Sequence, residues 1–150
     1  TVNGEPHLVI ARATLIKNEG TEMQSAATFD LTPVFGANLE KAHRTFRKTQ
    51  DNRLLITDDL VSNEHTNTIT WQLVTTADIR INKKKITLKQ EGKQLNLTLL
   101  SDFPYEAEIV SLSPPPLAYD KDIEGLKRLD LVFERNDFPG KSCRIEVEMK

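Results

Sequence analysis

Between Asn67 and Leu100 the chain alternates apolar and polar residues with a period of two. Ile69, Trp71 and Leu73 share one parity, and Thr68, Thr70 and Gln72 share the other. The pattern returns in Ile79 and Ile81, in Ile86 and Leu88, and in Leu95, Leu97 and Leu99. Successive side chains of a strand point to opposite faces. This spacing therefore predicts antiparallel strands with one dry and one wet face.

Extended along the chain, the same reading gives strands over residues 8–17, 25–31, 41–48, 53–61, 67–75, 77–82, 85–90, 93–100, 106–113, 127–135 and 142–149. Turn chemistry separates them. Asn18-Glu19-Gly20, Gln50-Asp51-Asn52, Asn82 to Lys84, Glu91-Gly92 and Pro139-Gly140 read as hairpin links. Helix is scarce. A short turn at Leu31 to Gly36 is the best candidate, with Thr32 as cap and Pro33 at the first helical position. Pro114, Pro115 and Pro116 stop the strand that ends at Leu112, because proline cannot donate to a ladder.

About eleven short strands with hairpin-length links predict an all-β, antiparallel two-sheet β-sandwich. The expected inward set is Phe29, Leu31, Phe46, Leu54, Ile56, Ile69, Trp71, Leu73, Leu95, Leu97, Leu99, Leu129, Leu131, Phe133, Ile145 and Val147. Each such side chain, fully buried, contributes about 1.5–3 kcal/mol. The 150 residues amount to one domain, 1–150, large enough to fold without metal or disulfide staples. The formal net charge of -2 lacks the basic excess of a nucleic-acid surface. No apolar run is long enough to cross a bilayer as a helix. The opening TVNG reads as the end of a strand entering a turn, so the expectation is a piece of a longer protein.

No nucleophile elbow, P-loop, HExxH or CxxC occurs, and no catalytic residue is assigned. His7, His43 and His65 are not spaced to grip a metal from one element, which leaves only a site assembled in the fold from distant residues as the alternative to the expectation of no metal. No cofactor is expected. Asp58-Asp59 reads as a strand terminus, since Asp favours turns, rather than as a pair of calcium ligands, which would need six or more oxygens where two adjacent carboxylates point to opposite faces. Lys83, Lys84 and Lys85 read as a solvated hairpin tip guarding a sheet edge, the alternative being contact with an acidic polysaccharide. Arg44 shares the parity of Phe46 and is expected to be partly buried and paired. Trp71 is expected in the core with its N–H bonded locally, and Tyr105 and Tyr119 on a wet surface. Lone Cys143 shares parity with Ile145 and Val147 and reads as a small buried hydrophobe. Substrate-binding residues are unknown at this level. The stretch Ser113 to Gly125 reads as either a cleft wall or a mobile loop.

Four segments in order, TVNGEPH, TFDLTPVFG, AHRTFRKTQDNRLLITDDL and TITWQLVTTADIRI, resemble the C-terminal region of the heparinase II/III-like polysaccharide lyases over about the first hundred residues. From Phe103 onward the likeness is only generically β. The resemblance implies an N-terminal α-helical toroid joined to C-terminal β-sandwich layers. It implies cleavage of acidic glycans by β-elimination, by bacterial enzymes of the periplasm or exterior. The family's catalytic groups come mostly from the toroid and from strands upstream, and its HNTL histidine would precede Thr1. No catalytic residue is carried onto a position here. On this reading the chain is a scaffold domain, inactive alone. Its partner is an upstream helical catalytic domain, with an acidic polysaccharide as a further candidate. The alternatives are a free-standing carbohydrate-binding module and a structural β-sandwich. Aromatics are only 6% of the chain and fall mostly at inward parity, which counts against the module.

Overall fold

The computed structural model describes every residue except His7, Val9, Glu22, Met23, Asp102 and 138–141. The expected Pro139-Gly140 turn and His7 lie outside the described residues. Eleven strands form, and among the described residues the only helical turns are short 3-10 pieces. In chain order the strands are β1 (Thr14–Gly20), β2 (Ser25–Asp30), β3 (Leu39–Lys48), β4 (Leu54–Ser62), β5 (Thr68–Thr75), β6 (Asp78–Asn82), β7 (Lys85–Gln90), β8 (Lys93–Leu99), β9 (Glu106–Ser111), β10 (Lys127–Glu134) and β11 (Ser142–Met149). They make two antiparallel sheets. One has eight strands in the order β1-β2-β3-β4-β11-β8-β7-β6, and the other has three in the order β5-β10-β9.

Parity and register place the core. In the large sheet Phe46 faces Ile56, Ile56 faces Val147, and Val147 faces Leu99, so these four lie on one face. In the small sheet Leu131 faces Trp71, and Phe133 faces Ile69. Ile56, Leu60, Ile86, Leu97, Leu99, Ile145 and Val147 pack against Ile69, Trp71, Leu129, Leu131 and Phe133 in one buried cluster. Interdigitating inner faces of this kind are how a two-sheet sandwich removes its apolar area from water.

Two members of the expected inward set are corrected. Phe46 is 36% exposed and Leu95 is 38% exposed. Both have inward parity, but the covering layer is too narrow to reach them. At about 4.8 Å per strand, three strands cover less than half the width of eight. Phe46 instead meets Phe29 edge-on at 6.2 Å between ring centroids.

The first strand is also corrected. The expected strand over 8–17 begins only at Thr14 and runs on to Gly20. Leu8 donates to the Val34 carbonyl at 2.9 Å and Ala11 to that of Leu8 at 3.1 Å, so this stretch follows the adjoining turn rather than a ladder. Asn18, Glu19 and Gly20 are not a turn but pair with Ala27, Ala26 and Ser25. The reversal comes one step later, where the Thr21 N–H donates to the Gln24 carbonyl at 2.6 Å. Gly20 permits it by adopting φ +130°, a conformation closed to side chains.

The 3-10 turn at Thr32–Val34 has Pro33 in its first positions, but Leu31 rather than Thr32 holds the N-cap position, and without a side-chain cap bond. Asp30 Oδ1 accepts from the Thr32 N–H at 2.8 Å, an Asx-type closure. These Thr32 hydrogen bonds hold the Asp30 carboxyl below its ordinary range. The Thr32 hydroxyl oxygen is used elsewhere, accepting from the Ala42 N–H at 3.0 Å. The Asp-Leu-Thr-Pro segment is thus a hydrogen-bonded corner between β2 and β3.

Candidate functional site

A cavity of about 1020 Å³ opens beside β5, the edge strand of the small sheet. Its walls include Arg44, Asp58, Leu60 and Ile145 from the large sheet, and Trp71, Gln72 and Val74 from β5. Pro115, Pro116 and Ile123 close another side, so the proline-rich stretch is a wall of this cavity. Leu112 and Leu126 tie that excursion at its base, the N–H of the first donating to the carbonyl of the second at 2.9 Å.

Two arginine–aspartate forks flank the cavity. Arg44 donates from Nε and Nη2 to the two oxygens of Asp58 at 2.6 and 2.7 Å. Alternation puts both residues on the inner face of the large sheet, directly opposite each other in the β3–β4 register. Arg128 donates in the same way to Asp130 at 2.7 and 2.7 Å, and Gln72 Nε2 adds a bond to Asp130 at 3.1 Å. Here the partners are two apart on β10, hence on one face. Both carboxylates are buried, at 7% and 8% side-chain exposure, while both guanidiniums keep 32%. The bidentate geometry uses two of the five N–H donors of each arginine. The Asp130 hydrogen bonds hold the Arg128 guanidinium still more firmly protonated.

The chain's first residues lie along the same strand. Val2 bridges Ile69, and the Thr1 α-amino group donates to the Thr70 carbonyl at 3.0 Å. Burial first, and then the Arg44 charge, hold this amino group below its ordinary pKa. Trp71 is only 4% exposed, and its Nε1 has no hydrogen-bond partner among the described residues. The core position expected for Trp71 is as read, whereas its local N–H bond is not there.

Other sequence candidates fall elsewhere. Asp58 and Asp59 do point to opposite faces, but they lie inside β4, which continues to Ser62. Asp59 is outward and accepts from Arg144 Nε at 2.7 Å, so cross-strand cations hold both carboxylates in the ladder instead of ending it. Arg44 is paired and half-buried, as its parity implies. His43 Nε2 lies 3.8 Å from Asp30 Oδ1 on the outer face, and His65 is exposed beside Glu64. Among the described residues no three His, Cys, Asp or Glu side chains gather as a metal site. Lys84 Nζ donates to the Ser101 carbonyl at 3.0 Å, so the lysine tip is partly a clasp. Tyr119 is 83% exposed. Tyr105 departs from expectation by packing on Phe133 at 5.8 Å and donating its hydroxyl to the Lys83 carbonyl at 2.7 Å. Cys143 is buried, and desolvation, aided by the Asp58 charge, pushes its thiol up to about 12. The Arg128–Asp130 fork was missed in the sequence. Its only signal is an Arg-x-Asp spacing on a strand, which places the two side chains on one face.

Two antiparallel sheets with this cavity, and with no catalytic constellation among the described residues, define an all-β sandwich domain. No protein-family profile matches the chain, and no curated protein matches it. Solved structures do. Heparan sulfate lyase HepC from Pedobacter heparinus superposes with a TM-score of 0.64 at 17% identity, over 94% of this chain and 22% of that one. A heparinase III superposes with a TM-score of 0.58 at 11% identity, over 91% of this chain and 20% of that one. The particular sandwich is therefore the fold of the C-terminal domain of heparinase III-type lyases. The chain spans about a fifth of the length of these solved chains. Among the described residues no helix is long and apolar enough to cross a membrane.

Proposed function

We propose that this domain is the C-terminal scaffold of a heparinase II/III-like polysaccharide lyase that cleaves acidic glycans by β-elimination. The supporting observation is the fold match over 94% of this chain but only 22% of a heparan sulfate lyase. A chain that corresponds to one domain of such an enzyme is expected to lack a complete set of reacting groups. In the parent, a cationic or hydrogen-bonding group neutralises the uronate carboxylate. A base then removes the C5 proton, the C4–O bond breaks to leave a C4–C5 double bond, and an acid returns a proton to the departing oxygen. Those groups belong to an upstream helical unit and the strands next to it. The role of this domain is to hold that unit and frame the glycan cleft. As an enzyme of external polysaccharides, the parent would be a periplasmic or extracellular bacterial protein.

The uncovered wings of the large sheet support a docking role. Leu15, Phe46, Ile81 and Leu95 are 50%, 36%, 37% and 38% exposed, an apolar surface that a neighbouring domain would cover. The test compares the 150-residue chain with its parent on heparan sulfate, hyaluronan and chondroitin sulfate. Ultraviolet absorbance follows the unsaturated uronate product. The parent is expected to release it from at least one polymer and the 150-residue chain from none. Release by the chain alone, or inactivity of the parent on all three, would overturn the reading.

A further inference from the structure

The edge of β5 is half occupied. The Thr70 N–H donates to the Thr1 carbonyl at 3.0 Å, and the Asn3 N–H donates to the Thr68 carbonyl at 2.9 Å. The outward-pointing backbone groups of β5 are therefore those of Thr68, Thr70, Gln72 and Val74, because the pattern repeats every second residue. The first two are satisfied by Thr1 and Asn3. Among the described residues nothing bonds the outward groups of Gln72 and Val74. Both residues line the 1020 Å³ cavity, and so does Trp71 with its orphaned N–H.

We propose that a strand of the parent protein leading into Thr1 runs antiparallel along β5 through this cavity, pairing with Gln72 and Val74 as a fourth strand of the small sheet. This rests on the reading that the domain works inside a longer lyase. Two further observations fit that occupant better than a small ligand. The cavity is lined by β5 residues from Ile69 to Val74, and about four residues of extended chain would span Trp71 to Val74. The two faces of the cavity also differ. Residues opposite Trp71 and Leu73 would face Leu60 and Ile145, while those opposite Gln72 and Val74 would face the Arg128–Asp130 fork. The incoming strand is thus expected to alternate apolar inward and polar outward. An unpaired sheet edge lined by apolar residues is the usual template for such strand addition.

Hydrogen–deuterium exchange, read at single amides in the 150-residue chain and in the parent, tests this. The Thr70 amide should be protected in both and serves as the internal reference. The Gln72 and Val74 amides should exchange slower by more than about tenfold in the parent, as befits a gained ladder bond. Equal exchange in the two proteins would overturn the proposal. So would slowing of these amides in the 150-residue chain as its concentration rises, which would assign the edge to a second copy. A parent that shows the protection but cleaves no uronate polymer keeps the strand and removes the lyase reading, so the two failures are distinguishable.

Discussion

The Arg44–Asp58 fork should respond asymmetrically to the loss of either partner. The carboxylate is 7% exposed and the guanidinium 32%. Replacing Arg44 by Met strands a charge, or forces a proton onto it, in a dry wall between Leu60 and Ile145. Breaking a buried pair from this side costs about 3–5 kcal/mol. Asp58→Asn leaves the arginine free to swing its head into the cavity water while Asn still offers one acceptor. That loss should lie nearer the worth of one charge-assisted hydrogen bond, about 1.5–3 kcal/mol. The double variant Arg44→Met/Asp58→Leu removes both charges and should fall within about 1 kcal/mol of the parent sequence, or above it. Urea denaturation of the four proteins gives the coupling directly. With a slope of about 1–3 kcal/mol per molar, the Arg44→Met midpoint should fall by roughly 1 M or more. If Asp58→Asn proves as costly as Arg44→Met, or if the double variant loses the sum of the singles, the exposure argument is wrong.

Leu97 is 1% exposed, whereas the Asn96 side chain on the opposite face is exposed, and its Oδ1 accepts from the Thr87 hydroxyl at 3.2 Å and from Gln94 Nε2 at 2.9 Å, bonds that a carboxylate can also accept. Leu97→Asp should therefore cost more than about 4 kcal/mol and Asn96→Asp within about 0.5, read from thermal melts. Gly20→Ala should destabilise well beyond Gly92→Ala, because a Cβ at Gly20 meets the Gln24 carbonyl and the Ser25 Cα while one at Gly92 meets open space. Gly92→Ala carries only the left-handed backbone penalty, about 1 kcal/mol, and equal losses in chemical denaturation would contradict the hairpin geometry. The Cys143 thiol is pushed from 9.0 to about 12 by burial, so between those values the unfolded chain releases a proton that the folded one retains. Stability should thus fall as pH rises through that window, by at most about 1.4 kcal/mol per pH unit. Cys143→Ala should flatten the slope, and an unchanged slope would refute the assignment.

What was legible in the sequence was whatever a single strand's own parity decides. Ile69, Trp71, Leu97, Leu131, Phe133 and Val147 are buried where alternation puts them, because each lies on a strand facing the other sheet. Phe46 and Leu95 obey the same parity and are exposed, because burial also needs a strand overhead, and sheet width is a property of topology. Asn18-Glu19-Gly20 reads as a turn by composition, yet the bulge between Leu15 and Lys17 and the later reversal keep it in the ladder. The cavity was illegible for a related reason. Arg44 and Asp58 come from one hairpin, but Trp71, Gln72 and Arg128 come from strands that meet only because β10 returns to β5 across more than fifty residues. No local spacing encodes that meeting.

The mismatch of eight strands against three bears directly on how such a domain is used. A self-sufficient sandwich covers each inner face with a sheet of similar width. Here the small sheet contributes its core through β5 and β10, while β9 is almost wholly exposed and carries Glu106 and Glu108. Charges on an edge strand discourage further pairing there, so β9 is a closed edge. The opposite edge, β5, has no such charge and fronts an apolar cavity. The two edges of one small sheet are thus built to opposite ends, one to repel a strand and one to accept it. Growth of the sheet on the β5 side would widen the cover over the β3–β4 half of the large sheet, where Arg44 and Phe46 lie incompletely buried. The orphaned Trp71 N–H and the half-exposed Phe46 both lie on the side toward which such growth would extend, and each is unfavourable in a sandwich whose small sheet stops at β5.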